Sequence, residues 1–343
     1  MTDALILAGG VAKGAFTAGV LTVLLGPEGK AATVDVHSIV AASSGALNGA
    51  FAASVLHART EETEIARLAT FWRDDAAFDR VFEPSLAGIF ERRGVSGEDK
   101  VMDLMRREIH PAPRARTVEL RLIVANLAGS VEQVGGAPAT TFESVLLYDA
   151  ATFESADGLE KMFRGVTASA AFPGAFVPVK LELNGQFVQC IDGGAVNNAP
   201  LGYALEHPSA IDRVFVVNPQ PRVTVTKRTD LSGLGLLMHL ADMLIEERLF
   251  RDLRGAYEMN EKLARLAEVV PDARARERIL ETVGWAGRKP IAIVELRPPH
   301  DLPGDMFAGF FSAELREEYV RSGQESARAW LASDAGGGRR SAP

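Results

Sequence analysis

The chain has 343 residues, a net charge of -8 and a single cysteine. The acidic balance argues against nucleic acid as the main partner, and one cysteine excludes an internal disulfide. Hydrophobic residues make up 47% of the chain, which is ample for a core, but no apolar run of about 18 residues predicts a membrane-spanning helix. The length fits one large or two modest domains, and the start of the chain lacks the basic region of a signal peptide.

The first predicted strand, residues 4–8, leads into a glycine-rich loop, GGVAKGA at 9–15, and an apolar helix. Such a loop at a helix start presents free backbone N–H groups, which bind phosphates or oxyanions. The phosphate alternatives fit poorly, because Ala15 stands where a P-loop needs lysine and Val11 breaks the dinucleotide pattern. We therefore interpret the segment as an oxyanion loop whose donors are the N–H groups of Gly10 and Val11.

A second strand pattern, residues 34–40, is followed by a serine turn and an Ala-rich helix pattern. Strand, tight turn and helix are the arrangement of a nucleophile elbow. Ser43 precedes Gly45 by two residues and is the candidate nucleophile, while Ala41 stands where the usual elbow has glycine. The alternative is an ordinary helix N-cap formed by Ser43 or Ser44.

A β-hairpin is predicted at residues 179–183 and 186–191, because an Asn-Gly pair joins two strand patterns. The second strand ends at Asp192, which two glycines follow. Its carboxylate is therefore open to an approaching group. The alternative is a turn aspartate, for which Asp-Gly is ordinary.

Together these segments resemble the patatin-like phospholipase family. The family's motifs occur in the right order, as GGVAKGA at 9–15 with GVL at 19–21, SSGALN at 43–48, ASAAFPG at 168–174 with Phe176 and Pro178, and DGG at 192–194 with Asn198 and Pro200. The resemblance covers roughly residues 4–220, and the combination is far more specific than any one motif.

The resemblance implies an α/β fold of three layers, with a mostly parallel central sheet and helices on both faces. It also implies a Ser-Asp dyad, in which Ser43 attacks and Asp192 is the general base, without a catalytic histidine. Gly9, Lys13 and Gly14 would shape the oxyanion loop.

Two positions depart from the family's pattern. Val11 replaces the usual third glycine of the loop, and Ala41 replaces the elbow glycine. Both residues keep their backbone N–H, so the departures concern the efficiency of the oxyanion hole more than the chemistry.

The remaining elements alternate between strand and helix, which is typical of a mostly parallel sheet covered on both faces. Strand patterns lie at 120–125, 145–148, 213–218 and 291–296. Ligands bind beyond the carboxyl ends of such strands, so one site can collect Gly9, Ser43 and Asp192. We predict a catalytic core over 1–220 with a helical insertion at about 73–116, a helical extension with a late strand packed on the core over 221–333, and a disordered tail over 334–343.

Two regions outside the core pattern have open interpretations. The insertion carries apolar residues between charges and can cover an acyl pocket or form a satellite helical layer. The stretch 232–268 has helical apolar spacing with a basic face. This pattern fits lipid contact or core packing with a solvated face, which is the commoner arrangement of such helices.

We expect a lipid acyl hydrolase that releases fatty acid from phospholipids, lysophospholipids or simpler esters, without metal or cofactor. The expected partners are lipid substrate and peripheral membrane, not nucleic acid, in a cytoplasmic protein that contacts the inner membrane face. The alternatives are an acyltransferase or thioesterase on the same dyad, a non-catalytic lipid-binding homologue, and a nucleotide-binding module that uses the glycine loop. The sequence does not predict the oligomeric state.

Overall fold

A computed structural model of the protein describes residues 1–58, 62–82, 98–173, 175–204, 210–223 and 233–335. The strands of this part, in chain order, are β1 (Asp3–Leu7), β2 (Val36–Ala41), β3 (Glu119–Val134), β4 (Ala137–Tyr148), β5 (Val179–Leu183), β6 (Gln186–Asp192), β7 (Arg213–Val217) and β8 (Ala292–Leu296). They form one sheet in the order β5-β6-β3-β2-β1-β7-β8, and β4 also pairs with β3.

Helices surround this sheet. Those of the described residues are α1 (Gly14–Leu24), α2 (Pro27–Ala31), α3 (Ser44–Ala58), α4 (Glu62–Thr70), α5 (Phe78–Val81), α6 (Glu98–Glu108), α7 (Ala150–Glu154), α8 (Ala156–Ser169), α9 (Gly194–Asn197), α10 (Leu201–Ala204), α11 (Gly233–Val269), α12 (Ala273–Thr282), α13 (Ala308–Phe311) and α14 (Ala313–Ala335). A 3-10 turn at Val11–Lys13 precedes α1, and a π-helical turn at Phe71–Asp75 follows α4.

The sheet is covered on both faces, which is why its central strands are mostly apolar. In β1, Leu5 and Leu7 belong to one buried cluster, whereas Ala4 and Ile6 belong to another. Successive side chains of a strand point to opposite faces, so one cluster lies on each face of the sheet. Each cluster packs the sheet against one of the two outer helical layers of a three-layer fold. The predicted mostly parallel α/β architecture is confirmed: β3, β2, β1, β7 and β8 are parallel neighbours, and β4, β5 and β6 are antiparallel.

The C-terminal part lies against the rest of the sheet and its helices. β8 pairs in parallel with β7, and α14 crosses α1 at close range. A Cβ on Gly19 would lie 2.0 Å from the Val320 carbonyl oxygen, and one on Gly323 would lie 2.0 Å from that of Phe16. The two glycines therefore permit a backbone approach that no side chain would allow.

Some elements differ from the sequence patterns. The strand patterns at 120–125 and 145–148 belong to one long hairpin that continues to Val134 and returns from Ala137. Few large apolar residues lie in this extension, so its sequence lacks the alternation of apolar and polar residues that predicts a strand. The last helix continues to Ala335, two residues into the predicted tail, and residues 336–343 lie outside the described residues, as do 83–97 of the predicted insertion.

The long helix α11 covers nearly all of the stretch 232–268, for which the sequence allows either lipid contact or core packing. Leu249 and Leu253 are buried in the cluster on the second face of the sheet, whereas Met243 and Phe250 are exposed. Core packing therefore accounts for this part of its apolar face. No helix among the described residues combines the length and apolarity needed to cross a bilayer.

Candidate active site

Ser43 lies in the turn between β2 and α3, in a strained backbone conformation. Its φ of 55° is in the left-handed region, which is costly for a residue with a side chain. Two contacts hold the turn: the Ser43 N–H donates to Ser169 Oγ at 3.1 Å, and Ser169 Oγ donates to the Ile123 carbonyl at 2.6 Å. Glycine is required at position 45, because a Cβ there would lie 2.2 Å from the Leu7 carbonyl oxygen.

The Ser43 hydroxyl donates a hydrogen bond of 2.7 Å to Asp192 Oδ2. The other carboxylate oxygen, Oδ1, accepts the Gly194 N–H at 2.7 Å. Asp192 is only 3% exposed. Burial is the largest influence and raises the pKa of Asp192 to about 6, although the hydrogen bonds from Ser43 and Gly194 oppose it. At neutral pH most of the carboxylate is therefore ionised and able to accept the serine proton.

The glycine-rich loop is held against the same site by two polar side chains. Asn198 accepts the Gly9 N–H at 3.0 Å and donates to the Gly9 carbonyl at 3.2 Å. Ser44 Oγ accepts the Gly10 N–H at 3.0 Å. A Cβ on Gly9 would lie 2.4 Å from Ser43 Cβ, so only glycine lets the loop approach the nucleophile this closely.

Val11 has a φ of 54°, again in the left-handed region. Such a conformation is a true outlier for a β-branched residue. The backbone hydrogen bonds found among the described residues leave the Val11 N–H without an acceptor. This N–H is therefore available to a ligand next to Ser43.

The remaining predicted positions pack around the loop. Lys13 is buried, and its N–H donates to the Gly10 carbonyl at 2.9 Å. Gly14 begins α1 where a Cβ would lie 2.8 Å from Ser44 Cβ. Ala41 is the buried last residue of β2, paired with Leu7 of β1.

An apolar cavity opens beside the Ser43–Asp192 pair. Its walls are mainly aromatic and aliphatic, and they comprise Val11, Ser43, Ser44, Leu47, Phe71, Trp72, Ala76, Val81, Phe82, Val101, Leu104, Ala170, Phe172, Phe176, Asp192, Phe307 and Phe310. Such a lining fits an acyl chain, with the polar groups confined to one end. Phe82 and Val101 come from the predicted insertion, so its described part does contribute to this wall.

The described histidines and the cysteine do not line this cavity. Among the described histidines, His57 is buried against Phe153 and contacts the Ala112 carbonyl, and His37 pairs with Asp35. The described residues contain no cluster of metal-ligating side chains. Burial raises the pKa of the Cys190 thiol to about 11, so this cysteine is an inert core residue.

Several residues support the site through contacts that the sequence does not predict. Ser169 and Asn198 lay in motifs that were noticed, but their hydrogen bonds to the elbow and the loop required coordinates. Asn48 closes the SSGALN motif, and its contacts also required coordinates: it donates to the Gly14 carbonyl at 2.9 Å and accepts the Trp72 indole N–H at 2.7 Å. Phe307 and Phe310 had no sequence signal, because no short motif surrounds them.

Residues 5–205, more than half of the chain, match the sequence model of the family described as patatin-like phospholipase. The chain therefore belongs to the patatin-like phospholipases, whose membership supports lipid acyl hydrolase activity in general terms. Among solved structures it is similar to VipD from Legionella pneumophila, with 13% identity, a TM-score of 0.42 and coverage of 97% of this chain. The match spans 66% of the VipD chain. No curated protein matches the sequence.

Proposed function

We propose that the protein is a serine acyl hydrolase that cleaves lipid carboxylic esters, phospholipids or lysophospholipids among them, with a Ser43–Asp192 dyad. The observation that carries the proposal is the 2.7 Å hydrogen bond from Ser43 Oγ to Asp192 Oδ2 at the polar end of an apolar cavity. Family membership supplies the general reaction class, and these contacts supply the candidate residues.

In the proposed first step, Asp192 accepts the hydroxyl proton as Ser43 Oγ bonds to the ester carbonyl carbon. The carbonyl oxygen becomes the oxyanion of a tetrahedral intermediate. When the intermediate collapses, the bond to the alcohol breaks, the alcohol leaves with the proton from Asp192, and an acyl group remains on Ser43. Asp192 then deprotonates a water molecule, which attacks the acyl-enzyme. Collapse of this second intermediate releases fatty acid and returns the proton to Ser43.

The oxyanion proposal assigns donors to the glycine-rich loop. Val11 lines the same cavity as Ser43, and its N–H has no acceptor among the described residues, so it needs no rearrangement to donate. The Gly10 N–H donates to Ser44 Oγ and becomes available when the Ser44 side chain rotates about its Cα–Cβ bond. Preorganised backbone donors are a large term in acyl transfer, commonly worth about 100- to 1,000-fold each in turnover.

Labelling by a fluorophosphonate tests this proposal. The probe should modify Ser43 stoichiometrically, as read by peptide mass spectrometry, and should stop hydrolysis of 4-nitrophenyl esters. Ser43→Ala should lose both, whereas Ser44→Ala should keep both. Labelling of another serine, or hydrolysis by Ser43→Ala, would overturn it. Alcohol acceptors and thioester substrates in the same assay separate hydrolysis from acyl transfer and thioesterase activity.

We also propose that the protein meets a neutral lipid surface through the β3–β4 arm, residues 126–142. β3 passes Asp192, with which Val124 is paired, and then continues to Val134. The arm therefore extends the sheet at the edge that carries the dyad. Residues 131–140 are exposed on both strands, including Val131 and Val134.

The charge of the arm favours this partner over an anionic surface. Glu132 is its single charged residue, in a chain that is 24% charged overall. Val131 and Phe142 lie on one face of the arm and Val134 on the other, so both faces carry exposed apolar side chains. With no basic residue, the arm offers apolar insertion and no attraction to anionic headgroups.

Vesicle sedimentation tests the arm. Replacing Val131, Val134 and Phe142 by serine should weaken binding to phosphatidylcholine vesicles by about tenfold or more, given the area lost, and leave hydrolysis of water-soluble esters unchanged. Leu147→Ser is the control, since Leu147 is also exposed on β4 but pairs with Arg121 near the start of β3. Unchanged vesicle binding by the triple variant would refute lipid contact through the arm. Loss of a dimer instead would reassign it to contact between copies.

A further inference from the structure

The cavity beside the dyad is closed partly by a segment far from the family motifs. This segment, residues 305–311, is called here the C-terminal wall. It follows β8 and lies outside residues 5–205, which match the family. Two of its side chains, Phe307 and Phe310, line the same cavity as Ser43 and Asp192.

The rings of the wall are packed against aromatic residues from two other parts of the chain. Phe310 lies edge-on to Phe82, with ring centroids 5.2 Å apart, and Phe307 lies edge-on to Phe172 at 5.7 Å. Phe82 in turn contacts Phe176 at 5.0 Å. The first two pairs have the edge-to-face geometry that aromatic rings prefer. Phe307 and Phe310 are themselves 6.3 Å apart, so the rings form a continuous boundary.

Backbone contacts hold the wall in place. The Met306 carbonyl accepts the Ala12 N–H at 3.0 Å, directly behind the glycine-rich loop. Arg316 is 6% exposed, and its guanidinium donates to the Gly309 carbonyl at 2.8 Å and to the Arg73 carbonyl at 2.9 Å. Moving the wall outward would leave these buried groups unpaired, which is costly.

The space inside this boundary is small. The cavity volume is about 60 Å³, which is only twice the roughly 30 Å³ that one water molecule takes up in the liquid. A methylene group is of similar size, so only a short acyl segment fits between Ser43 and the rings unless side chains move.

We propose that Phe307 and Phe310 are specificity-determining residues that limit the length of the acyl chain transferred to Ser43. The inference rests on the proposed esterase function and deepens it: the preferred substrates carry short acyl chains, and longer chains compete with the rings for space. Since each buried methylene contributes about 0.8 kcal/mol, or about fourfold in kcat/KM, removing a ring should favour longer chains measurably.

The experiment compares kcat/KM for 4-nitrophenyl butanoate, octanoate, dodecanoate and hexadecanoate. Wild type should prefer butanoate or octanoate. Phe310→Ala and Phe307→Ala should each raise the ratio of dodecanoate to butanoate by about tenfold or more, the effect of about two additional buried methylenes. Phe311→Ala is the matched control: it is the same change one residue after Phe310, but Phe311 is exposed and stacks on Phe78 outside the cavity lining. Its ratio should stay at the wild-type value.

Active-site titration with the fluorophosphonate normalises each variant to folded, labelled enzyme. Phe310→Leu, a smaller volume change, keeps the test available if Phe310→Ala does not fold. Unchanged chain-length ratios in enzymes that still hydrolyse esters and label at Ser43 would overturn this inference alone. An equal shift in Phe311→Ala would also overturn it, because the effect would then belong to the helix and not to the cavity. Absence of hydrolysis and labelling in wild type would overturn the proposed function itself.

Discussion

The Ser44 hydroxyl accepts the Gly10 N–H at 3.0 Å, so the second serine of the elbow holds one of the two proposed oxyanion donors. The neighbouring Val11 N–H has no acceptor among the described residues. This asymmetry divides the proposed oxyanion hole into a donor that is open at once and a donor that is covered until Ser44 rotates.

Removing the Ser44 hydroxyl should therefore leave catalysis intact. In Ser44→Ala the Gly10 N–H loses its internal acceptor and becomes free for the substrate oxygen, so we expect turnover within about threefold of wild type. The lost hydrogen bond should cost about 0.5–1.5 kcal/mol in the free energy of unfolding, measured by urea denaturation. Inactivity of Ser44→Ala with persistent activity of Ser43→Ala would move the nucleophile by one residue.

The raised pKa of Asp192 predicts a pH dependence of both rate and stability. Activity should fall as the pH drops through about 6, because the protonated carboxyl cannot accept the Ser43 proton. The folded state holds this proton up to a higher pH than the unfolded state, whose aspartate titrates near 3.9. The contribution of Asp192 to stability is therefore most favourable below about pH 4, decreases through about pH 6, and is then constant.

Asp192→Asn removes this titration and provides the comparison. The variant should lose about 100-fold or more in kcat. Its free energy of unfolding relative to wild type should increase between pH 4 and pH 7 by roughly 2–3 kcal/mol, from a shift of about two pKa units. Parallel stability curves for the two proteins would show that Asp192 has an ordinary pKa, and near-full activity of the variant would make it only a turn residue.

Much of this site follows from the sequence because strand ends and small-residue turns are local signals. Ser43 follows an apolar strand pattern, and parallel strand ends converge at one edge of a sheet. Asp192 also ends a strand pattern, but β6 is antiparallel to β3, so the pairing of Asp192 with Val124 brings its carboxylate to this edge, and not the rule for parallel strands. The backbone strain at Val11 has no comparable signal, since nothing local distinguishes a valine forced into the left-handed region. The contact between Phe172 and Phe307 joins residues distant in the chain, and only the tertiary fold brings them together.

The strain at Val11 makes Val11→Gly an informative change. Glycine adopts a φ of 54° without the steric cost of a β-branched side chain, and the backbone donor is kept. We expect at least wild-type turnover per labelled site. In the free energy of unfolding, relief of about 1–3 kcal/mol of strain is offset by the greater flexibility of the unfolded chain and by lost packing. Kinetics on a short-chain ester check the result. Inactivation of Val11→Gly would show that the valine side chain, and not its N–H, serves catalysis.

Asn198 should act as a positioning residue for the glycine-rich loop. Asn198→Ala removes both hydrogen bonds to the Gly9 peptide, and Asn198→Asp replaces the donor to the Gly9 carbonyl by a carboxylate oxygen. Both variants should lower kcat by about 10- to 100-fold, because small displacements of catalytic groups are costly, with KM little changed. The fluorophosphonate labelling rate should fall in parallel. Wild-type kcat in both variants would show that the loop keeps its shape without this contact.

The last prediction distinguishes a dyad from a triad. A pKa of about 6 for Asp192 lies close to the value of about 6.5 for free histidine, so the acidic side of the rate profile cannot identify the base. Mutants can. Replacing each of the six histidines by glutamine should leave activity per labelled Ser43 within about tenfold of wild type, well short of a lost general base; they are His37, His57, His110, His207, His239 and His300. His57→Gln should lose stability, since its buried ring stacks on Phe153, and His207 lies outside the described residues. One variant that folds normally yet loses activity on the scale of Asp192→Asn would assign the proton transfer to an imidazole and refute the dyad.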